Sequence, residues 1–127
     1  MRTLIDGVRA ETVSEVLDLA DGLLSANHAL AAAVLAGGAL ETHLLHLCVR
    51  NNLTWTGEPS IGKYDGAVAQ ARNEGTVTVY SATDSKVIGS WGGIRNDAAH
   101  HPTKFARGVD DVRRMVDGIR EFMARVP

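Results

Sequence analysis

An apolar segment between Asn27 and Arg50 restricts the possible folds more than any other part of the sequence. Its apolar residues recur at helical spacing on most sides of the axis rather than along one stripe. A helix of this kind must be covered by other elements of the fold. The segment therefore predicts a central core helix with Asn27 as its N-cap. Its small residues, Ala31–Ala33 and Ala36–Ala39, would let a neighbouring helix approach closely.

Four other segments have the spacing of amphipathic helices or begin at residues typical of helix caps. They run from about Leu4 to Leu24, from Ser60 to Ala71, from Ser81 or Thr83 to Ala99 or His100, and from Val109 to Val126. Together with the core helix they predict an all-α fold, an antiparallel bundle of four main helices plus a short extra helix. The 127 residues suffice for one hydrophobic core, so we expect a single domain over residues 1–127.

Two local signals refine this prediction. Pro102 disfavours helical backbone at His101, so the helix before it should end near His100. Residues Thr76–Tyr80 alternate like a β-strand, but the sequence offers no second strand to pair with them. We therefore expect an extended connection in that place.

The formal net charge of −2 argues against a protein that coats nucleic acid through bulk electrostatics. The charge is unevenly distributed, because the chain is net acidic up to Val49 and net basic after it. Five basic residues of the second part lie close together: Arg95, Lys104, Arg107, Arg113 and Arg114. Any anionic ligand is expected to meet this part of the chain, but a solvated helix face has the same composition and is the favoured interpretation.

The cysteine count and the hydropathy pattern bear on localisation. The single cysteine, Cys48, cannot form an internal disulfide, and a reducing compartment is the default for such a chain. No signal-peptide pattern follows Met1, and no apolar run approaches the length of a membrane span. We expect a cytoplasmic protein with no membrane partner.

The segment from Trp91 to His101 carries the main functional signal, because polar side chains lie on a helix that also contributes to the core. Asn96 and His100 are four residues apart and share a helix face. Arg95 lies about 140° around the axis from His100, so the two converge only through the long arginine stem or a distorted helix end. Alternatively, Arg95 pairs with a carboxylate and His100 caps its own helix.

This segment and its flanks resemble the HEPN domains, a superfamily of small helical proteins that includes many metal-independent endoribonuclease toxins. Their signature is an arginine, usually followed by a polar residue, and then a histidine after four to six intervening positions. Arg95, Asn96 and His100 match it, with four residues between Arg95 and His100. The resemblance covers about residues 26–122 and includes a helix with one acidic residue near its centre, here Glu41.

The resemblance implies a metal-independent endoribonuclease of toxin or phage-defence type that needs no cofactor. Its active site would lie across a symmetric homodimer, with Arg95 and His100 of both copies in one cleft and Glu41 and His101 in supporting positions. One imidazole would deprotonate the RNA 2′-hydroxyl, and an imidazolium of the other copy would protonate the leaving 5′-oxygen. Arg95 would stabilise charge on the phosphoryl oxygens, and Asn96 would orient His100 or bind phosphate.

Glu41 lies in an otherwise apolar helix, where an unpaired carboxylate is costly. We therefore expect it to be buried or half-buried with a partner, for which Arg95 is the candidate. An exposed position at the edge of the helix is the alternative.

The alternative function is a catalytically silent HEPN module that binds a nucleotide or serves a partner defence or nucleotidyltransferase protein. Some HEPN toxins are silenced by a nucleotidyltransferase that modifies a tyrosine two positions beyond the histidine. Pro102 occupies that place here, so this form of control is not expected. An antitoxin of another kind is a possible partner under the nuclease reading.

His43, His46 and Cys48 are metal ligands by residue type. Cys48 is rotated well away from His43 on a helix, and no second ligand cluster accompanies them. We therefore expect no metal site and place these side chains along the edge of the core helix.

Overall fold

The computed structural model describes the backbone from Leu4 and the side chains from Ala10 onward. This part of the chain contains five α-helices, one short 3-10 helix and no β-strand, so the prediction of an all-α fold is confirmed. The helices are α1 (Leu4–Ser25), α2 (Ala29–Arg50), α3 (Ile61–Glu74), α4 (Ala82–His100) and α5 (Val109–Arg125), with the 3-10 helix at Pro102–Lys104.

The central position of α2 is the organising feature of the bundle, since each of the other α-helices packs against it. The buried alanines on α2, among them Ala33 and Ala36, let these neighbours approach, and Leu40, Leu44 and Leu47 fill the space between them. By length and composition α2 would suffice to cross a membrane, so the expectation that no run approaches that length is wrong. More than half of its most apolar stretch is buried inside the molecule, as a core helix requires.

The last helix, α5, is strongly amphipathic and buries one face against the bundle. The residues of this face are Val112, Met115, Val116, Ile119 and Phe122. On its polar side, Arg120 lies 3.2 Å from an oxygen of Asp18 and 2.8 Å from one of Asp21, both on α1. Arg125 binds Asp84 at the start of α4 at 2.9 Å. The helix is thus joined by charged pairs to two other helices.

Three helices end in the same motif, with a residue in the left-handed region just past the last turn: Asn27, Asn52 and Gly75. At the end of α1, the N–H of Asn27 donates to the Leu24 carbonyl and that of His28 to the Leu23 carbonyl. The prediction that Asn27 is the N-cap of α2 is therefore wrong. Asparagine tolerates left-handed backbone, and here it terminates α1, while His28 precedes α2 without a side-chain cap.

The starts of α3 and α4 follow the predicted caps. The Ser60 side chain accepts a hydrogen bond from the Lys63 N–H. Ser81, rather than Thr83, caps α4, in a reciprocal arrangement with Asp84. The Arg125 guanidinium that binds Asp84 holds the pKa of this carboxyl below its ordinary value.

The segment Thr76–Tyr80 connects α3 to α4 and forms no β-strand, as predicted, but the chain bends at Thr76, Val79 and Tyr80 instead of being extended throughout. Its anchor is Tyr80, whose buried ring packs edge-on against Phe122 and whose hydroxyl donates to Asp65 at 2.8 Å. Arg72 donates to the Tyr80 carbonyl at 3.0 Å. Burial and the neighbouring Asp65 carboxylate raise the pKa of the Tyr80 phenol.

The expectation that His43, His46 and Cys48 line the edge of α2 is wrong for two of the three. His43 and Cys48 are fully buried, because α2 is covered on nearly every side. The His43 Nε2 atom lies 2.6 Å from the Val126 carbonyl oxygen, and the Cys48 thiol donates to the Tyr64 carbonyl at 3.6 Å. Burial raises the pKa of the Cys48 thiol. Among the described residues, no three His, Cys, Asp or Glu side chains are grouped to hold a metal ion.

Candidate functional site

The candidate site begins where the stem of Arg95 on α4 crosses Gly37 on α2. A Cβ atom at position 37 would lie 2.1 Å from the Arg95 Cγ atom and 2.6 Å from its Cβ atom. Both distances are far shorter than van der Waals contact. The glycine therefore provides the space in which the arginine stem lies, and the close approach expected from the small residues of the core helix is present at this point.

The guanidinium of Arg95 has few partners in the described part of the chain. Its Nε atom is buried and makes no hydrogen bond, and no carboxylate lies within ion-pair distance of it. Its Nη1 atom lies 3.5 Å from the side-chain oxygen of Asn96, a long hydrogen bond. Buried polar groups are nearly always paired in folded proteins, so an unpaired guanidinium nitrogen requires an explanation.

Arg95 and Asn96 line a cavity of about 310 Å³ between α4 and the start of α3. The other lining residues are Ser60, Ile61, Gly62, Asp65, Ile88, Gly89, Gly92 and Gly93. The N-terminal turn of α3 faces this space, and helix N-termini favour anions. Asp65 is the acidic member of the lining, and one of its oxygens accepts the hydrogen bond of Tyr80.

Three glycines of α4 give the cavity its shape. A Cβ atom at Gly92 would come within 3.2 Å of Ile61, so this glycine allows α3 and α4 to pack closely. Gly89 and Gly93 have nothing within 4 Å of such an atom and leave the entrance open. These glycines do not form a phosphate-binding loop of the kind found in other folds, since they lie within a helix.

His100 is the last residue of α4 and its side chain is exposed, as is that of Asn96 one turn earlier. Within one chain, no hydrogen bond joins His100 to Arg95. The structure thus brings Arg95 and Asn96 together in one cavity and leaves His100 on the surface next to it. The predicted end of α4 near His100 is confirmed.

Glu41 is half-buried on α2, but the predicted ion pair between Glu41 and Arg95 is not formed in the described part of the chain. Glu41 instead lies near Tyr64 on α3. Burial raises the pKa of the Tyr64 phenol, and the Glu41 carboxylate adds to this effect. The offset is along the helix axis, since Arg95 meets α2 at Gly37, one turn and about 6 Å before Glu41 on the same face.

His101 follows α4, and its N–H donates to the Asp97 carbonyl at 2.9 Å. Its side chain lines a second and larger cavity, of about 580 Å³. The other lining residues are Asp97, Lys104, Phe105, Ala106, Arg107 and Asp111. From the sequence, Lys104 and Arg107 are identified only as part of a basic cluster, and the cavity is not predicted. The signal in the sequence that could have indicated it is an aromatic residue between two cations.

Comparisons of the chain with protein-family models, with curated proteins and with solved structures gave no match.

Proposed function

We propose that this protein is a HEPN-type endoribonuclease that cleaves RNA without a metal ion or other cofactor. The observation that carries the proposal is the guanidinium of Arg95, which has no ion pair in the described part of the chain and is held by α2 in a cavity beside Asn96 and next to an exposed histidine, His100. A phosphodiester group would supply the missing anionic partner, because its oxygens accept the charged hydrogen bonds that the terminal nitrogens of arginine donate.

The chemistry assigned to these residues is an intramolecular transesterification of the RNA strand. The 2′-hydroxyl loses its proton to one imidazole, and its oxygen forms a bond to the adjacent phosphorus. The bond from phosphorus to the 5′-oxygen then breaks, and an imidazolium protonates that oxygen. Arg95 and Asn96 stabilise the charge on the phosphoryl oxygens. The products are a 2′,3′-cyclic phosphate and a 5′-hydroxyl.

The mechanism requires a base and an acid, and we assign them to His100 of two copies of the chain in a homodimer. The exposure of His100 and its separation from Arg95 within one chain support this assignment. The biological setting we propose is a cytoplasmic toxin or defence protein whose activity an antitoxin or a defence partner controls. A molecular mass of one chain by light scattering at micromolar concentration would contradict the shared site.

The test is incubation of the purified protein with total RNA in EDTA, followed by analysis of the product ends. We expect the wild type to leave cyclic phosphates and the variants Arg95→Met and His100→Ala to be inactive. Methionine keeps an unbranched stem over Gly37 and removes the charge. His28→Ala is the matched control, since His28 is an exposed histidine before α2 and should leave activity unchanged.

Three results would contradict the nuclease. They are cleavage that requires magnesium, equal cleavage of DNA, and full activity of Arg95→Met. Absence of cleavage by the wild type, with the dimer intact, would favour the catalytically silent module instead.

A further inference from the structure

The larger cavity, beside the 3-10 helix and the start of α5, has no part in the chemistry described above. It is lined by two acidic residues, three basic ones and an aromatic ring. Lys104 and Arg107 are exposed and form no ion pair in the described part of the chain, whereas Asp111 is paired with Arg114. The cavity therefore presents two cations without an ion-pair partner, alongside the carboxylate of Asp97, and its volume of about 580 Å³ is within the range of ligand sites.

Phe105 gives this cavity a flat apolar surface between the two cations. Its ring is half-buried and packs against the hydrophobic core, so its position is fixed while part of it remains accessible. An aromatic ring beside cations is the arrangement that binds single-stranded nucleic acid, in which bases stack on the ring and phosphates contact lysine and arginine. Asp97, on the wall formed by α4, is an acceptor for the amino groups of a base.

The two cavities lie on either side of the C-terminal half of α4. Asn96 lines the smaller one and Asp97 lines the larger one, and neighbouring helical residues are about 100° apart around the axis. At the same 100° per residue, the direction of His100 around the axis is about 40° beyond that of Asn96 and about 60° before that of Asp97. His100 therefore occupies the exposed ridge between the two cavities.

We infer that the larger cavity binds the nucleotide adjacent to the cleaved phosphodiester of a single-stranded RNA. In this arrangement the phosphate to be cleaved contacts Arg95, the strand crosses α4 at His100, and the next base stacks on Phe105. Lys104 and Arg107 bind the phosphate of that nucleotide. The inference rests on the proposed function and adds the residues that hold and position the strand.

The test measures binding separately from cleavage. The probe is a short, fluorescein-labelled oligonucleotide of mixed sequence made of 2′-O-methyl RNA, which lacks the nucleophile and cannot be cut. Fluorescence anisotropy gives its affinity at a series of salt concentrations. Loss of the phosphate contact in Lys104→Ala/Arg107→Ala should reduce the slope of log affinity against log salt by about 0.7, the value for one neutralised phosphate of a single strand.

The double variant Arg50→Ala/Lys86→Ala has the same change of charge and is the matched control, because both residues are exposed and neither lines the cavity or pairs with a residue that does. Phe105→Leu should weaken binding of the oligonucleotide by about tenfold. Phe105→Tyr, which keeps the ring, should bind it as tightly as the wild type does. Circular dichroism of each variant verifies the fold. Adenosine 5′-monophosphate is the second probe, and it should bind far more weakly than the oligonucleotide.

Unchanged affinity and slope in the cavity variants would overturn the inference, as would an equal loss in the control or equal affinity for the mononucleotide. A cleavage assay of unmodified RNA with the same preparations distinguishes failure of this inference from failure of the proposed function. Cleavage by the wild type with unaltered binding by the cavity variants removes the inference alone. Binding through the cavity without any cleavage removes the nuclease and retains the strand-binding surface. Failure of the wild type to bind RNA removes both.

Discussion

Gly37 of α2 and Arg95 of α4 occupy one site in the core, since the arginine stem fills the space that a side chain at position 37 would need. The contact involves the Cγ atom of Arg95 and also its Cβ atom, which cannot move without moving the α4 backbone. It orients the guanidinium towards the cavity that it shares with Asn96. A position in the core helix thus determines where the candidate phosphate-binding group lies.

The first prediction concerns Gly37→Ala. The added methyl group would overlap the Arg95 stem, so we expect the free energy of unfolding to fall by about 1–3 kcal/mol and RNA cleavage to be lost. Chemical denaturation and the cleavage assay measure the two effects. Gly38→Ala is the matched control, because nothing lies within 4 Å of a Cβ atom there. A helical alanine should leave the protein unchanged or stabilise it by up to about 1 kcal/mol. Equal stability of the two variants would refute the proposed packing.

A second close approach predicts the effect of Gly118→Ala on α5. The new Cβ atom would lie 2.6 Å from a ring carbon of Trp91 on α4, and that ring also packs against Phe122. We expect a loss of about 1–2 kcal/mol in stability and a change in tryptophan fluorescence, since the indole must shift. Gly66→Ala on α3, where nothing lies within 4 Å, should show neither effect.

The buried histidine His43 joins the middle of α2 to the Val126 carbonyl just past α5. In His43→Leu this carbonyl loses its partner, so we expect a destabilisation of about 1–3 kcal/mol, measured by urea denaturation. His28→Ala removes an exposed histidine and should change stability by less than about 0.5 kcal/mol. If His43→Leu is as stable as the wild type, leucine packing compensates for the lost hydrogen bond and the prediction is wrong.

The ion pair between Asp84 and Arg125 makes stability depend on pH. The pKa of Asp84 is lowered in the folded protein, first by its hydrogen bond with Arg125. Its contribution is therefore present above the ordinary value of 3.8 and is lost as the pH falls through the lower folded value. Asp84→Asn should cost about 1 kcal/mol at neutral pH, because it weakens the reciprocal cap of α4. Thermal unfolding of both proteins from neutral to acid pH should show the difference disappear at the acid end. A constant difference over the whole range would argue against the ion pair.

His100→Ala should separate function from stability. The side chain is exposed, so we expect the unfolding free energy to change by less than about 0.5 kcal/mol. Cleavage should fall by about 10²–10⁴-fold through loss of proton transfer. A variant that is both fully folded and fully active would remove His100 from the mechanism.

The positions of the helices could be predicted because their signals are local. Pro102 sets the end of α4, Ser60 and Ser81 mark two starts, and the apolar spacing of α5 shows which face is buried. The lack of a β-strand at Thr76–Tyr80 follows from the same kind of reasoning, since a single strand has no neighbour with which its backbone N–H and C=O groups can pair.

The rotation of α2 could not be predicted in this way. A helix that is apolar on most sides does not show in its sequence which neighbour each position meets. For this reason the sequence does not show that His43 and Cys48 are buried. Glu41 is a different case, because it shares a face with Gly37 and the contact of Arg95 lies one turn away along the axis. Asn27 was misassigned because asparagine is favoured both at helix starts and in left-handed helix ends.

The contacts of α5 also bear on synthesis of the chain at the ribosome. Arg120 binds acidic residues about a hundred positions earlier in the sequence, and Val126 completes the hydrogen bond of His43, which is 83 positions earlier. Asp18, Asp21 and His43 leave the ribosome first, and they gain these contacts only when α5 follows. At about 5–20 residues per second, the delay is several seconds. Until then, α4 lacks the helix that packs behind Trp91. A nascent chain without α5 therefore lacks the packing of Trp91 against Phe122, and under the proposed function the cleavage site would mature only after α5 has left the ribosome.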